Sequence, residues 1–524
     1  MPMDCSRGYI EVSGMIPDSN SRKADWKGCL LVTSLSMAFY IYTIAPDVLW
    51  NDSPIFQLRI YLGDYIGVLG LALSHPLYIF TGRLFTFLPF HNLAYKANLI
   101  SAVFGALTVG NLFLLLRWWR INRLGAALAS LTLLVSHTFW TNSVIAEVYT
   151  LYSFLFLVEL ILVTQFLETR QKKYLFWLFL VNGLNISNHL LASLNLLIYF
   201  SYTIILLHKR EITGRDFILL CFLTLLGALP YEIFIAEEYF HTRSFLLTLR
   251  SALVGSNVWQ KDVLNTKVFC WRNFKNLILF LGMNFPVFHI YFVVPGAKMF
   301  WKERDWQAHF LFTGIFLISF IFAFRYTVAD QYVFYFPVYI FVALLIGLGV
   351  DKVSRMSSKG NRWMLAILFF SSISPIFIYQ KAPIFAEKYK INIGVTRQIP
   401  YRNSYQYFLN PSKRNYHGAR KYMLDITRLA ERNSVIIPDY TIINTLLYFQ
   451  KAEGIGSDLL IAGLPNVQGD FPNCIEVTPA NIFDLLKDHR VYLTSDLPQY
   501  NPPWILENFR IQKRGILYQV LIPD

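Results

Sequence analysis

The sequence predicts a polytopic α-helical membrane protein of about eleven transmembrane helices, with a small extracytoplasmic α/β domain at its C-terminus. Three observations support this fold class. Of the 524 residues, 55% are hydrophobic and only 15% are charged, which leaves too little polar side chain to cover a water-soluble surface. Apolar runs long enough to cross a bilayer recur up to about residue 380. After residue 410 the hydrophobicity becomes patchy.

The N-terminal tail, residues 1–26, is polar and carries Arg7, Arg22 and Lys23 before the first apolar run. That run lacks a clear small-residue cleavage site, so we expect a retained helix rather than a signal peptide. Basic residues flanking a first helix favour the cytoplasmic side, which places the tail inside.

The apolar runs predict a transmembrane domain over residues 27–382. With the tail inside, five short loops on the cytoplasmic side each hold three or four basic residues, whereas the short loops on the other side hold only Arg325. This asymmetry supports both the order of the helices and their orientation. The predicted spans lie at about 27–46, 94–116, 124–140, 147–167, 174–190, 191–207, 217–236, 276–297, 308–325, 332–350 and 363–380.

Two long loops and the C-terminal part then lie outside. The first external loop, 47–93, is rich in aromatic and aliphatic residues broken by glycines, which is typical of helices in the membrane interface. The second external loop covers 237–275. In residues 383–524, helical patterns alternate with short β-rich runs such as SVIIPD and VYLTSD, which predicts an α/β domain. We expect this domain to lie over the external mouth of the helical core.

The net charge of +14 is compatible with nucleic-acid binding, but in a membrane chain basic residues concentrate in short cytoplasmic loops. We therefore expect no nucleic-acid partner. The five cysteines form neither a CxxC pair nor a Cys/His cluster, so no metal site is predicted.

Asp52, in the stretch WNDSPIFQL, stands where the chain leaves the first apolar run. An acid followed by Ser and Pro is common helix-capping chemistry, so Asp52 has an ordinary structural alternative. Three further acids or imidazoles fall at the same membrane face: Glu147, His189 and Asp330. His75 is on this side too. Ionisable groups at such depth are costly unless they face a cavity or each other. Glu147 and Asp330 also have helix-terminus alternatives, and His189 one as an interhelical hydrogen bonder.

The order of these motifs resembles a known family. Asp-Ser after the first helix, then HPLYIFTGRLFTFLP, TFWTNSVIAEVYTL, GLNISNHL and VADQYVFYFPVYI are similar to the GT-C superfamily of membrane glycosyltransferases, in particular the transmembrane protein O-mannosyltransferases of the plexin/Met receptor type and their bacterial relatives. The similarity runs through most of residues 27–350.

The resemblance implies a GT-C fold and a catalytic acid in the first external loop. Asp52 matches that acid, Glu147 the family's AEVY glutamate and His189 its NH histidine. Pro54 and Ile55 replace a glycine and a second acid of the family pattern, and the run SHPLY around His75 is shorter than the family's.

The resemblance implies a polyprenyl-phosphate sugar as donor, with mannose as the sugar. Inverting transfer from such a donor requires a carboxylate that accepts the proton of the acceptor hydroxyl. It also requires groups that hold the departing phosphate. Asp52 is the predicted base. The candidate phosphate-binding residues are Arg59, Arg83, Arg325 and His189. The lipid-linked sugar is a donor substrate, and we expect no cofactor and no metal.

Two other function classes stay open. One is a transporter or flippase for a lipid-linked substrate, although no pair of matching halves with interrupted helices is visible. The other is a membrane scaffold whose catalytic pattern has decayed, as Pro54 and Ile55 would allow.

For a glycosyltransferase, we expect the acceptor to be a protein Ser/Thr or an envelope-glycan hydroxyl, and we expect the C-terminal domain to contact the acceptor rather than the donor. The expected location is a bacterial inner membrane with the C-terminal domain in the periplasm, or the endoplasmic reticulum with that domain in the lumen if the source is eukaryotic.

Overall fold

The computed structural model describes residues 19–89, 91–255, 270–356, 361–394, 397–463 and 474–523. Most of these residues are helical. In chain order, the helices up to the last long one are α1 (Ser19–Thr43), α2 (Ser53–Leu62), α3 (Pro76–Thr86), α4 (Leu93–Trp118), α5 (Arg123–Leu134), α6 (His137–Ser143), α7 (Tyr149–Thr169), α8 (Lys172–Asn188), α9 (Ala192–His208), α10 (Gly214–Thr242), α11 (Phe245–Val254), α12 (Trp271–Asn284), α13 (Val293–Glu303), α14 (Trp306–Arg325), α15 (Phe336–Met356) and α16 (Asn361–Lys388).

Within the described residues, six helices are long and apolar enough to cross a membrane, and up to eight spans result if each of two bent pairs counts as one. The chain is therefore a multi-pass helical membrane protein, while the predicted count of about eleven is not confirmed. Helices α8 and α9 have only 17 residues each, less than the roughly 20 that cross a bilayer without help from neighbours. Helix α1 begins with several charged residues.

The two bent pairs correct two predicted spans. The run predicted as one helix at 276–297 is broken between α12 and a short 3-10 turn, with a bend of 110°. Pro286 lies in this break, and proline can neither donate to a helical ladder nor follow a helical residue without a clash. The run at 124–140 bends by 68° between α5 and α6.

Close helix packing in the core depends on glycine. Gly183 on α8 and Gly227 on α10 face each other, and a Cβ on either would lie 2.2 Å from a backbone carbonyl of the other helix. Gly110 on α4 is similarly close to Thr33 on α1, where a Cβ would lie 1.9 Å from the hydroxyl. Small residues at such contacts let membrane helices approach backbone to backbone.

The segment between α1 and α4 holds two short helices, α2 and α3, joined by a loop with a 3-10 turn at Leu71–Leu73. Helix α2 ends at Gly63, whose φ of 70° is the left-handed conformation common at helix ends. Helix α3 exposes Phe80 and Leu84, as expected for a helix at a membrane interface.

A mixed five-stranded sheet forms near the C-terminus from the strands β1 (Val435–Ile437), β2 (Leu460–Ile461), β3 (Val491–Leu493), β4 (Arg510–Arg514) and β5 (Leu517–Leu521). The order of the strands in the sheet is β2-β1-β3-β5-β4. Strand β1 runs parallel to β2 and β3, and β5 is antiparallel to β3 and β4. The helices in the same part of the chain are α17 (Ser404–Leu409), α18 (Gly418–Leu429), α19 (Tyr440–Ala452), α20 (Ile482–Asp488) and α21 (Pro503–Asn508). We call residues 397–523 the C-terminal region.

The C-terminal region packs directly on the segment that joins α1 to α2. Val48, Leu49 and Trp50 of that segment share one buried cluster with Tyr422 of α18 and Ile442 of α19. The Trp50 indole N–H donates to the Tyr416 hydroxyl at 2.6 Å. The chain just before Asp52 is thus covered by residues that follow it by several hundred positions.

Candidate active site

Asp52 sits at the N-cap position of α2, but its side chain makes no capping hydrogen bond. Instead, Oδ1 accepts a hydrogen bond of 3.0 Å from the hydroxyl of Tyr440, the first residue of α19. A capping carboxylate would accept from a backbone N–H of the first helical turn. The side chain of Asp52 is therefore directed to the C-terminal region, and the ordinary capping explanation does not account for it.

Glu147 is held close to the Asp52 segment by backbone contacts. It lies in the loop between α6 and α7, and its N–H donates to the Ser101 hydroxyl at 3.1 Å. In the same loop, Ala146 N–H donates to the Ser53 hydroxyl at 3.2 Å. Ser53 is the neighbour of Asp52, so these bonds bring the second acid to the side of the first.

Asp330 joins them from the loop between α14 and α15. The next residue, Gln331, fixes this loop because its amide donates to the carbonyls of Ala323 and Phe324 at 2.9 and 3.2 Å. Asp330 precedes a 3-10 turn without a side-chain capping bond. The helix-cap alternative for Asp330 therefore also lacks its defining contact.

The electrostatics show that the three carboxyl groups share one site. Burial raises the pKa of Asp52, and burial followed by repulsion from Asp52 raises the pKa of Asp330 to about 7. The pKa of Glu147 lies well above its ordinary value because of burial and of repulsion from both other acids. All three residues are half-buried, as expected for groups that line a cavity. No group of three or more His, Cys, Asp or Glu in the described ranges is arranged to hold a metal ion, and the predicted absence of a metal stays a prediction.

The two predicted histidines lie together beside this cluster. Their ring centroids are 5.0 Å apart, and the His189 ring is 5.3 Å from the Tyr149 ring. Burial lowers the pKa of His189 to about 4 and is the main cause of the much lowered pKa of His75, so both rings are neutral near pH 7. His189 Nδ1 accepts from the N–H of Leu191 at 3.1 Å, which leaves the proton on Nε2. Neutral His189 can thus donate to an anionic ligand without carrying charge itself.

Two of the three predicted arginines bind backbone carbonyls of the segment between α1 and α4. Buried Arg59 donates to the carbonyls of Asp64, Tyr65, Leu73 and Ser74 at 2.5 to 3.2 Å. Arg83 donates to the carbonyls of Ile60 and Tyr61 at the end of α2. Arg325 ends α14 with its guanidinium 5.4 Å from the centre of the Phe322 ring. The phosphate-binding roles of all three stay predictions.

Sequence reasoning missed Tyr440. It is the first residue of α19, and only Pro438 and Asp439 separate it from β1. The carboxyl ends of parallel strands are the usual place for ligand contacts in open α/β sheets. The run SVIIPDYT therefore held a usable signal, but nothing in it connects Tyr440 with Asp52.

Nearly the whole chain has the architecture of a solved structure. ArnT from Cupriavidus metallidurans in its apo crystal structure matches with a TM-score of 0.60 and 13% identity, covering 96% of this chain and 100% of ArnT. The crystal structure of ArnT bound to undecaprenyl phosphate matches with a TM-score of 0.57 and 12% identity, covering 97% and 100%. The chain has the GT-C fold.

A family comparison adds a match within this GT-C protein. Residues 72–213 match the N-terminal domain of protein O-mannosyl-transferase TMEM260, which confirms the resemblance predicted from the motifs. His75, Arg83, Glu147 and His189 lie inside the matched residues, whereas Asp52, Arg59, Arg325 and Asp330 lie outside them. No curated protein sequence matches the chain.

Proposed function

We propose that the protein is a membrane glycosyltransferase that transfers a sugar from a polyprenyl-phosphate donor to a hydroxyl group of a protein Ser/Thr or an envelope glycan. The observation that carries this proposal is the convergence of Asp52, Glu147 and Asp330 in one half-buried site of a GT-C fold. The donor class is supported by the ArnT structure bound to undecaprenyl phosphate. Mannose is the proposed sugar because the matched family is named for O-mannosyl transfer.

The proposed reaction is a single displacement with inversion. The acceptor oxygen forms a bond to the anomeric carbon of the sugar while the bond from that carbon to the phosphate oxygen breaks. The electron pair of the broken bond leaves with the polyprenyl phosphate, and the acceptor proton passes to Asp52 as general base. The reaction balances without a cofactor, and none is proposed.

The three acids have different parts in this proposal. Among the described contacts, Asp52 accepts a hydrogen bond from the Tyr440 hydroxyl, and this bond favours its ionised form. Burial and repulsion from Asp52 raise the pKa values of Glu147 and Asp330. These two carboxyl groups are therefore protonated more often than Asp52. A protonated carboxyl group can donate to the phosphate or to the sugar oxygens, and His189 Nε2–H is a further donor.

We further propose that the site faces the extracytoplasmic side and that the chain crosses the membrane about eleven times. Helix α4 supports the sidedness. Near its start, Asn98 donates to the carbonyl of Ala45 at 2.9 Å, close to the site. Near its end, about 29 Å from Asn98 at 1.5 Å per residue, Arg117 pairs with Asp25 at 2.8 Å beside the basic loops. Basic loops mark the cytoplasmic side. The C-terminal domain, residues 383–524, then lies in the periplasm of a bacterium or the lumen of the endoplasmic reticulum.

The test is a transfer assay with purified protein and a panel of radiolabelled polyprenyl-phosphate sugars. We expect sugar release from one donor by the wild type and a loss of about 10² to 10⁴-fold in Asp52→Asn, the usual cost of a missing general base. Asp64→Asn is the matched control, because its amide oxygen can still accept from the N–H groups of Ile66 and Gly67. If Asp52→Asn keeps more than about a tenth of the wild-type turnover, Asp52 is not the base.

A further inference from the structure

Tyr440 is placed with more precision than its position at a helix start requires. The preceding residue, Asp439, is 4% exposed and forms an ion pair with Arg397. Its carboxylate also accepts from the Thr441 N–H at 2.9 Å and from the Thr494 hydroxyl at 3.0 Å. Helix α19 therefore begins at a point fixed to both β1 and β3 of the sheet.

The same helix is fixed to the segment that carries Asp52. The Thr445 hydroxyl donates to the carbonyl of Leu49 at 3.1 Å, and the Asn51 N–H donates to the carbonyl of Thr441 at 3.3 Å. Thr441 and Asn51 are the immediate neighbours of Tyr440 and Asp52. The bond between the two side chains thus stands between two backbones that are already bonded to each other.

We propose that Tyr440 is a positioning residue that orients the Asp52 carboxylate, so that the C-terminal region completes the active site. The terminal torsion of an aspartate is soft and nearly two-fold, and a carboxylate without a partner can present either oxygen at a range of angles. The Tyr440 hydroxyl, 3.0 Å from Oδ1, holds one oxygen. The other oxygen, Oδ2, is then directed to the acceptor hydroxyl. This inference rests on the proposed function.

The bond also has an electrostatic effect in a site with three acids. A hydroxyl that donates to a carboxylate favours its ionised form. For Asp52 this bond acts against burial, which raises the pKa of the carboxyl group. Tyr440 remains a neutral donor throughout, because burial and the nearby charge of Asp52 raise the pKa of its hydroxyl well above the ordinary value.

If Tyr440 orients Asp52, the C-terminal region does more than contact the acceptor. A pure acceptor platform would leave donor hydrolysis intact when it is removed. If Tyr440 orients the base, the transmembrane part alone lacks a component of its own chemistry. The interaction also couples the two parts, since any movement of α19 away from Leu49 and Asn51 would release Asp52.

The experiment compares Tyr440→Phe with wild type in the full-length protein, with the polyprenyl-phosphate sugar that the wild type uses. We expect kcat to fall at least about tenfold, in line with the loss of a hydrogen bond to a charged group, with KM for the donor unchanged. The acid limb of the pH–rate profile should move to higher pH, because Asp52 loses the donor that favours its ionised form. A purely structural role would not move that limb.

Tyr448→Phe is the matched control, since Tyr448 lies on the same helix, is fully buried and belongs to the hydrophobic core of the C-terminal region. A second measurement adds Tyr440→Phe to Asp52→Asn, where we expect no further loss. An unchanged pH–rate profile, a kcat within about twofold of wild type, or a further loss equal to that of the single variant overturns the inference. No sugar release by the wild type from any donor of the panel would overturn the proposed function instead, so the two failures can be told apart.

Discussion

Arg420 of α18 forms a two-point ion pair with Asp47, from the segment between α1 and α2. Its Nη2 lies 2.8 Å from Asp47 Oδ1, while Nε donates to Oδ2. The same guanidinium contacts Glu453 at 2.6 Å. Asp47 is only 2% exposed, so the loss of Arg420 would leave a buried carboxylate without this countercharge. The Arg420–Asp47 pair and the Tyr440–Asp52 bond therefore attach the C-terminal region at two points to the segment between α1 and α2.

Arg420→Met should loosen this docking. Removing one partner of a buried pair costs about 3–5 kcal/mol, and the 27% exposure of Arg420 reduces that, so we expect a loss of about 2 kcal/mol. Limited proteolysis should cut the C-terminal region faster, and turnover should fall with it. Arg432→Met is the matched control, because Arg432 is 94% exposed and 4.0 Å from Asp458. Equal behaviour of the two variants would contradict the docking role.

Arg59→Gln should destabilise the segment between α1 and α4. The guanidinium is 6% exposed and serves four carbonyls between Asp64 and Ser74, and hydrogen bonds to a charged group contribute about 1.5–3 kcal/mol each. We expect a clear fall in Tm in a detergent-based thermal unfolding assay. A weaker apparent donor affinity at an unchanged Tm would instead favour the phosphate-binding role predicted from the sequence.

The sequence allowed the fold class and the acids of the site to be predicted because both are local signals. Long apolar runs identify membrane helices, and Asp52, Glu147 and Asp330 each stand out as ionisable groups at an apolar run's end. The β-rich runs SVIIPD and VYLTSD contain β1 and β3, as predicted. Strand β4, by contrast, is RIQKR, an exposed edge strand without the alternation that a half-buried strand shows.

The contacts that complete the site could not be predicted, because they join distant parts of the chain. Tyr440 and Asp52 are 388 positions apart, and Arg420 and Asp47 are 373 apart. A hydroxyl or a guanidinium has no periodic signature that names its partner. Arg59 illustrates the converse case: an arginine in an external loop suggested phosphate, while its nearest acceptors are carbonyls a few residues away.

Asp330→Asn should change how stability depends on pH. The folded-state pKa of Asp330 is raised to about 7, first by burial and then by Asp52, above the roughly 3.9 of an unfolded aspartate. The folded protein therefore binds the extra proton, so this group's contribution is complete below about pH 4 and is lost as pH rises to about 7. The wild type should lose Tm over that window more steeply than Asp330→Asn. Parallel Tm curves would show that Asp330 titrates normally.

The proposed orientation predicts that position 458 is labelled only from the extracytoplasmic side. Asp458 precedes β2 and its side chain is 52% exposed, so Asp458→Cys offers a thiol to a membrane-impermeant maleimide without disturbing the sheet. Background from Cys474 should be low, because burial raises its thiol pKa to about 11 and thiolate is the reactive form. Arg210→Cys, in a basic loop after α9, is the opposite-side control and should react only after the membrane is opened.

An odd number of crossings from a cytoplasmic N-terminal tail puts the sheet and the three acids on one external face. If position 458 reacts only in opened membranes, the number of crossings is even or the tail is outside. The donor and acceptor would then have to meet on the cytoplasmic face.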